Sequence, residues 1–218
     1  MTGSESPPRV LITGAGAGVG RACAYVFAAA GAELILCDHD GTALTRVAER
    51  HQAFSRFCDA IADNSVAVFA AEIMEKFDSI DVLINAAGQG YVRSLAMMRM
   101  TRALLPLMRR GRGGRLVVNI APVGETMNDE HMFPYASSNG AFDRLSEALA
   151  EQTRGTSIDV VSLTPSLMRA RPSSANCVCQ LHEIECIDER TTAARILDLV
   201  TGARPTWQRR APPIDRRA

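Results

Sequence analysis

Lysine is all but missing from this chain of 218 residues, where Lys76 is the only one among 24 basic side chains. Chemistry that depends on an ammonium therefore has a single position to draw on. Net charge is missing too, because 24 acidic residues balance the basic ones and the two signs are interspersed. Such a balance gives no sign of a nucleic-acid or anionic-membrane partner, and none is expected. No run approaches the ~20 apolar residues of a membrane span. Residues 1–8 lack the charged and apolar regions of a signal peptide, so a cytoplasmic location is the expectation. Six cysteines without a secretory start read as reduced thiols rather than a disulfide framework. Cys177, Cys179, His182 and Cys186 crowd together, but their spacing has none of the two-plus-two patterns of zinc ligands, and no metal is expected. The length has room for one domain, expected over 9–204, with a flexible start at 1–8 and an arginine- and proline-rich surface tail at 205–218.

Glycine, by contrast, is concentrated. In Val10-Leu11-Ile12-Thr13-Gly14-Ala15-Gly16-Ala17-Gly18-Val19-Gly20 an apolar strand runs into a glycine-rich turn and then opens a helix. Glycines let the backbone take positive φ and let a pyrophosphate come close, while the free N–H groups and dipole of the helix favour its negative charge. A dinucleotide is the first expected ligand. Apolar runs at 10–13, 34–37, 56–58, 82–85, 116–120 and 158–163 read as strands. Between them 19–30, 43–51, 65–77, 95–109, 135–152 and 190–200 carry apolar residues at helical spacing. Strict alternation implies a doubly wound α/β fold, a parallel sheet covered on both faces by right-handed crossovers (a Rossmann fold). Ligands of such sheets bind outside the carboxyl ends of the strands. After Val200 there is no clear seventh strand, so the C-terminal edge is expected to be trimmed.

The ordinary G-x-G-x-x-G spacing fails, because starting from Gly14 or Gly16 puts Val19 or Arg21 at the last glycine. What fits is T-G-x-x-x-G-x-G, with Thr13, Gly14, Gly18, Val19 and Gly20. Asp38 ends the second strand, Cys58-Asp59 the third and Asn85-Ala86-Ala87-Gly88 the fourth, and Val117-Val118-Asn119-Ile120 forms the fifth. Over residues 9 to 165 these segments, in this order, resemble the short-chain dehydrogenase/reductase family. An acidic residue after the second strand accepts hydrogen bonds from ribose hydroxyls and repels a 2′-phosphate, so Asp38, with Asp40 as its neighbour, points to NAD(H) rather than NADP. The resemblance implies Asp59 at the adenine edge. It also implies Asn85, Ala86 and Gly88 beneath the cofactor, and Pro165 after the sixth strand beside it.

The same resemblance implies a catalytic tyrosine acidified by a lysine four residues on, a serine about thirteen residues earlier, and an asparagine on the preceding helix. The ammonium matters because a tyrosine with a pKa of ~10 is a poor base at neutral pH. Tyr135 is present, but Asn139 stands at the lysine position and Ala121-Pro122 at the serine pair. The asparagine position falls on Arg93, Ser166 replaces a glycine, and Ala170 replaces a threonine. Thr126 and Ser137 offer hydroxyls at the wrong spacing, and Lys76 lies far along the chain on an outer face. Arg93 is read as a solvent-facing arginine at a helix start, with an anion held in the old substrate pocket as the sharper alternative. Losing serine and lysine together costs several powers of ten if each contributes ~10² to 10⁴. The expectation is an NAD(H)-binding family member with dehydrogenase chemistry weak or lost. The alternatives are an active NAD-dependent oxidoreductase using Tyr135 on a small alcohol or carbonyl, or a structural partner subunit. A homo-oligomer through the helices at 95–109 and 135–152 is also implied.

Overall fold

The structure, a computed structural model, describes residues 7–88, 92–111, 115–120, 129–163 and 188–201, and of 129–140 the backbone alone. Strands β1 (Arg9–Thr13), β2 (Glu33–Asp38), β3 (Phe54–Phe57), β4 (Val82–Asn85), β5 (Arg115–Ile120) and β6 (Ile158–Leu163) alternate with helices. The helices are α1 (Gly18–Ala29), α2 (Gly41–His51), α3 (Asp63–Lys76), α4 (Val92–Arg110), α5 (Asp129–Gln152) and α6 (Glu189–Thr201). All strand pairings are parallel, in the order β3-β2-β1-β4-β5-β6, so the doubly wound expectation is met. The chain direction across the sheet reverses between β1 and β4, the switch point at which such sheets open a crevice.

Continuous apolar strands follow from burial on both faces. Successive side chains alternate, so Leu11, Leu83 and Val117 join the core under α3 and α4, while Val10, Ile12, Ile84 and Val118 join the core under α1, α2 and α6. Phe27, Phe69 and Phe142 are fully buried and each contributes about 1.5–3 kcal/mol of transfer free energy.

Among the element boundaries that differ from the sequence reading, three stand out. The third strand lies at Phe54–Phe57 rather than 56–58, because its parallel register pairs Ile35 with Phe54 and Asp38 with Phe57. Cys58 adds only a closing backbone bond, from its N–H to the Asp38 carbonyl at 3.0 Å. Helix α4 begins at Val92 instead of 95, and α5 at Asp129 instead of 135. Polar first turns such as Arg93-Ser94 and Asp129-Glu130 carry no apolar periodicity by which a start could be recognised.

Candidate functional site

Thr13 closes β1 and ties it to the next strand over. Its Oγ1 accepts the N–H groups of Ala86 and Ala87 at 3.1 and 3.0 Å and donates to the Ile84 carbonyl at 3.4 Å. The turns after β1 and β4 are thereby locked side by side at the switch point. Gly14 follows at φ 67°, and a Cβ there would stand 2.9 Å from the Ala86 and Ala87 backbone. Only glycine meets both conditions. Gly20, in the first turn of α1, packs against the Gly14 carbonyl, and Gly18 opens α1 at φ 53°. Val19 is buried in the core under α1.

Two neighbouring helices begin differently. Asp40 caps α2, its Oδ1 accepting from the N–H groups of Thr42 and Ala43 at 3.0 Å each, so this aspartate is occupied as a helix cap. At α1 the capping position is Ala17, and no side chain caps the first turn. The N–H groups that begin α1, at the carboxyl end of β1, thus have no side-chain cap among the described residues. Asp38 is spent on shaping this turn. It is 6% exposed, its Oδ2 accepts the Gly16 N–H at 2.8 Å, and its Oδ1 accepts the Asp40 N–H at 2.9 Å. His39 Nδ1 also stands 3.1 Å from Oδ1, so of a carboxylate's roughly four lone-pair sites about one remains for a further donor. Beside Gly16 a cavity of about 360 Å³ opens between α1 and α2, lined by Arg21, Tyr25, Ala43, Arg46, Val47 and Arg50. Asp59 lies in the turn after β3, where its Oδ1 accepts the Ile61 N–H at 2.9 Å.

The corner at the ends of β4 and β5 is built otherwise. Asn85 turns inward, its Nδ2 donating to Thr101 Oγ1 and to Asn119 Oδ1, both at 2.9 Å. Asn119 in turn donates to Ser146 Oγ at 3.1 Å. This buried chain fastens β4 and β5 to α4 and α5. Thr101 and Ser146 were missed from sequence; their one signal is a hydroxyl on an otherwise apolar helix face, between Met97 and Leu104 in α4 and between Phe142 and Leu149 in α5. Gly88, at φ 91°, lies against Arg93, whose Cα would be 2.8 Å from a Cβ at that position. This contact allows the short link into α4.

Arg93 is not the solvent-facing residue expected. Its Nη1 donates to the Ile120 carbonyl at 3.4 Å, and its Nε is sealed from solvent without an acceptor among the described residues. Burial holds its pKa below the ordinary arginine value. Lys76 ends α3 over the Phe54 ring, 4.5 Å from its centroid, at the edge of the sheet where the strands begin. It is therefore across the sheet from the crevice. Tyr135 and Asn139 lie four residues apart on the backbone of α5, and their side chains fall outside the described residues. Ala121, Pro122, Thr126, Pro165, Ser166, Ala170 and the Cys177 to Cys186 segment also fall outside them.

Among the described cysteines, Cys23, Cys37 and Cys58 are buried free thiols, and burial pushes Cys23 up to about 12. No helix among the described residues is long and apolar enough to cross a membrane.

A family model described as short chain dehydrogenase matches residues 8–95 and again 91–176. The two matches overlap at 91–95, around the first turn of α4. Among curated proteins, the chain is 27% identical over 212 residues to dehydrogenase/reductase SDR family member 7B of Mus musculus, covering 85% of this chain and 65% of that protein. The chain thus spans about two thirds of the length of the curated relatives it matches. Among solved structures, a short-chain dehydrogenase from Streptomyces avermitilis superposes with a TM-score of 0.73 at 28% identity, over 90% of this chain and 85% of that one. A short-chain dehydrogenase/reductase from Burkholderia phymatum in complex with NAD gives a TM-score of 0.74 at 21% identity, over 90% and 86%. Sheet order, glycine turn and family match agree that the chain belongs to the short-chain dehydrogenase/reductase family.

Proposed function

We propose that this chain binds NAD(H) in the crevice at the switch point and carries out ordinary dehydrogenase or reductase chemistry weakly or not at all. The observation that carries the reading is an asymmetry. The turn after β1 is shaped for phosphate, with an uncapped helix start and an acid tied to the loop, whereas the catalytic lysine and serine positions hold Asn139 and Pro122.

In this reading the turn from Thr13 and Gly14 to Gly18, Val19 and Gly20 receives the pyrophosphate, favoured by the N-terminal end of α1. Asp38 accepts a ribose hydroxyl with its remaining lone-pair site and disfavours a 2′-phosphate. Asp59 borders the adenine, and Ala86 and Gly88 lie beneath the nicotinamide half, with Pro165 beside it. Asn85 acts by fixing the end of β4, because both its N–H bonds are made inside the protein. The dinucleotide, when bound, supplies or accepts hydride. Tyr135 would hold the proton at its hydroxyl, but Asn139 four residues on cannot supply the ammonium that would ease its loss. The relatives' names support redox chemistry as the ancestral activity.

The choice between NAD and NADP is the sharp test, because Arg21, Arg46 and Arg50 border the same turn and would favour phosphate where Asp38 opposes it. Calorimetric titration with NAD⁺, NADH and NADP⁺ is expected to show saturable binding of the first two and weaker binding of the third. In Asp38→Ala the NAD⁺ affinity is expected to fall at least about tenfold, a loss in the range of a hydrogen bond to a charged group. Absence of NAD(H) binding by the unaltered chain would overturn the reading and leave a structural subunit.

A further inference from the structure

Three effects oppose a positive charge at Arg93. The side chain is largely buried and its Nε has no acceptor among the described residues. None of the described carboxylates pairs with it, although Arg9, Arg21, Arg56, Arg99, Arg144 and Arg154 each have one. It also stands in the first turn of α4, where the helix dipole disfavours a cation. A largely buried guanidinium without a paired charge is costly, and the one bond it makes among the described residues, to the Ile120 carbonyl at 3.4 Å, is beyond the usual range. The fold has a cheaper solution in any apolar residue of similar volume.

We infer that Arg93 is the anchor of a carboxylate-bearing small molecule, held at the carboxyl ends of β4 and β5 between Gly88 and Ile120. Its place beside the dinucleotide rests on the reading above; the want of a charged partner for Arg93 among the described residues does not. The planar guanidinium presents paired N–H donors that match a carboxylate. Charge selects the same class. One buried guanidinium compensates one negative charge, whereas a phosphate monoester near −2 would leave an excess in a desolvated site.

The first test needs no ligand. In the full chain Arg93→Met is expected to keep or raise Tm, since no described carboxylate pairs with the charge. A fall of more than a few degrees would assign Arg93 to holding the end of β5 and overturn the inference. The second test titrates lactate, 3-hydroxybutyrate and benzoate, each against its amide, and inorganic phosphate, into the nucleotide-free and the NADH-loaded protein. At least one carboxylate is expected to bind while its amide does not, weakened at least about tenfold in Arg93→Met and less in Arg93→Lys. Carboxylate binding in the nucleotide-free protein supports the site even where NADH fails to bind. NADH binding without any preference for carboxylate over amide leaves the nucleotide reading standing and removes this one. Equal carboxylate affinity in Arg93→Met, or phosphate bound more tightly than every carboxylate, would also overturn it.

Discussion

The turns after β1 and β4 touch each other at the centre of the sheet, yet they direct their polar groups in opposite ways. After β1 the polar atoms hold a loop open: Asp38 fixes Gly16, Thr13 fixes the neighbouring turn, and the start of α1 keeps its N–H groups uncapped. After β4 they close inward, Asn85 to Thr101 and Asn119, Asn119 to Ser146, while Arg93 Nε and Asn85 Oδ1 are left without a partner among the described residues. The difference teaches that a binding surface and a scaffold can be separated within one crevice. The first corner has groups to offer a ligand, and the second holds the sheet to its helices while presenting a single charge.

The largest expected effect breaks the contact between the corners. Gly14→Ala combines a left-handed φ, costing about 1–2 kcal/mol, with overpacking against Ala86 and Ala87 of about 1–3 kcal/mol. Urea unfolding should show the loss, and nucleotide binding should vanish with it. Gly155→Ala is the control, with φ 77° and open space around it, so that only the backbone penalty applies. Next comes Asn119→Ala, which strips an acceptor from Asn85 and a donor from Ser146 and should cost about 2–3 kcal/mol by leaving buried polar groups unpaired. A cost below about 0.5 kcal/mol in urea unfolding would mean the inward network is dispensable.

Asp40→Ala sharpens the comparison at the first corner. Removing this cap should cost about 1 kcal/mol of stability without changing NAD⁺ affinity, in contrast to Asp38→Ala. A matching fall in affinity would show that the two aspartates share one role.

The smallest effect lies next to the arginine-lined cavity, behind Tyr25. His51 packs edge-on against Tyr25 with ring centroids 4.6 Å apart, and burial, with Arg50 nearby, lowers its pKa below 6.5. A base with a depressed folded-state pKa is bound to fewer protons than its unfolded counterpart, so its stability contribution is complete above pH 6.5 and falls away as the pH drops below that value. Stability measured across this window should lose that part of its slope in His51→Phe.

Most of the fold could be read from the chain because parallel strands buried on both faces leave unbroken apolar runs, and each was found within two residues at its start. The glycine turn was equally plain, since its spacing is local. What escaped has long reach. The Gly16 to Asp38 bond spans 22 residues and the Asn85 to Asn119 bond 34, and nothing in either neighbourhood announces the partner. Arg93 misled for a related reason: an arginine in a polar turn reads as solvated, and only the approach of Gly88 and Ile120 shows that it is covered.

The claim at the centre is that nucleotide binding persists where hydride chemistry does not. It is tested most directly by loading the protein with NADH and following NADH absorbance on adding a panel of small aldehydes and ketones, beside the Tyr135→Phe variant. The expected result is saturable NADH binding with no oxidation above the protein-free rate in either form. Turnover by the unaltered chain that disappears in Tyr135→Phe would contradict it.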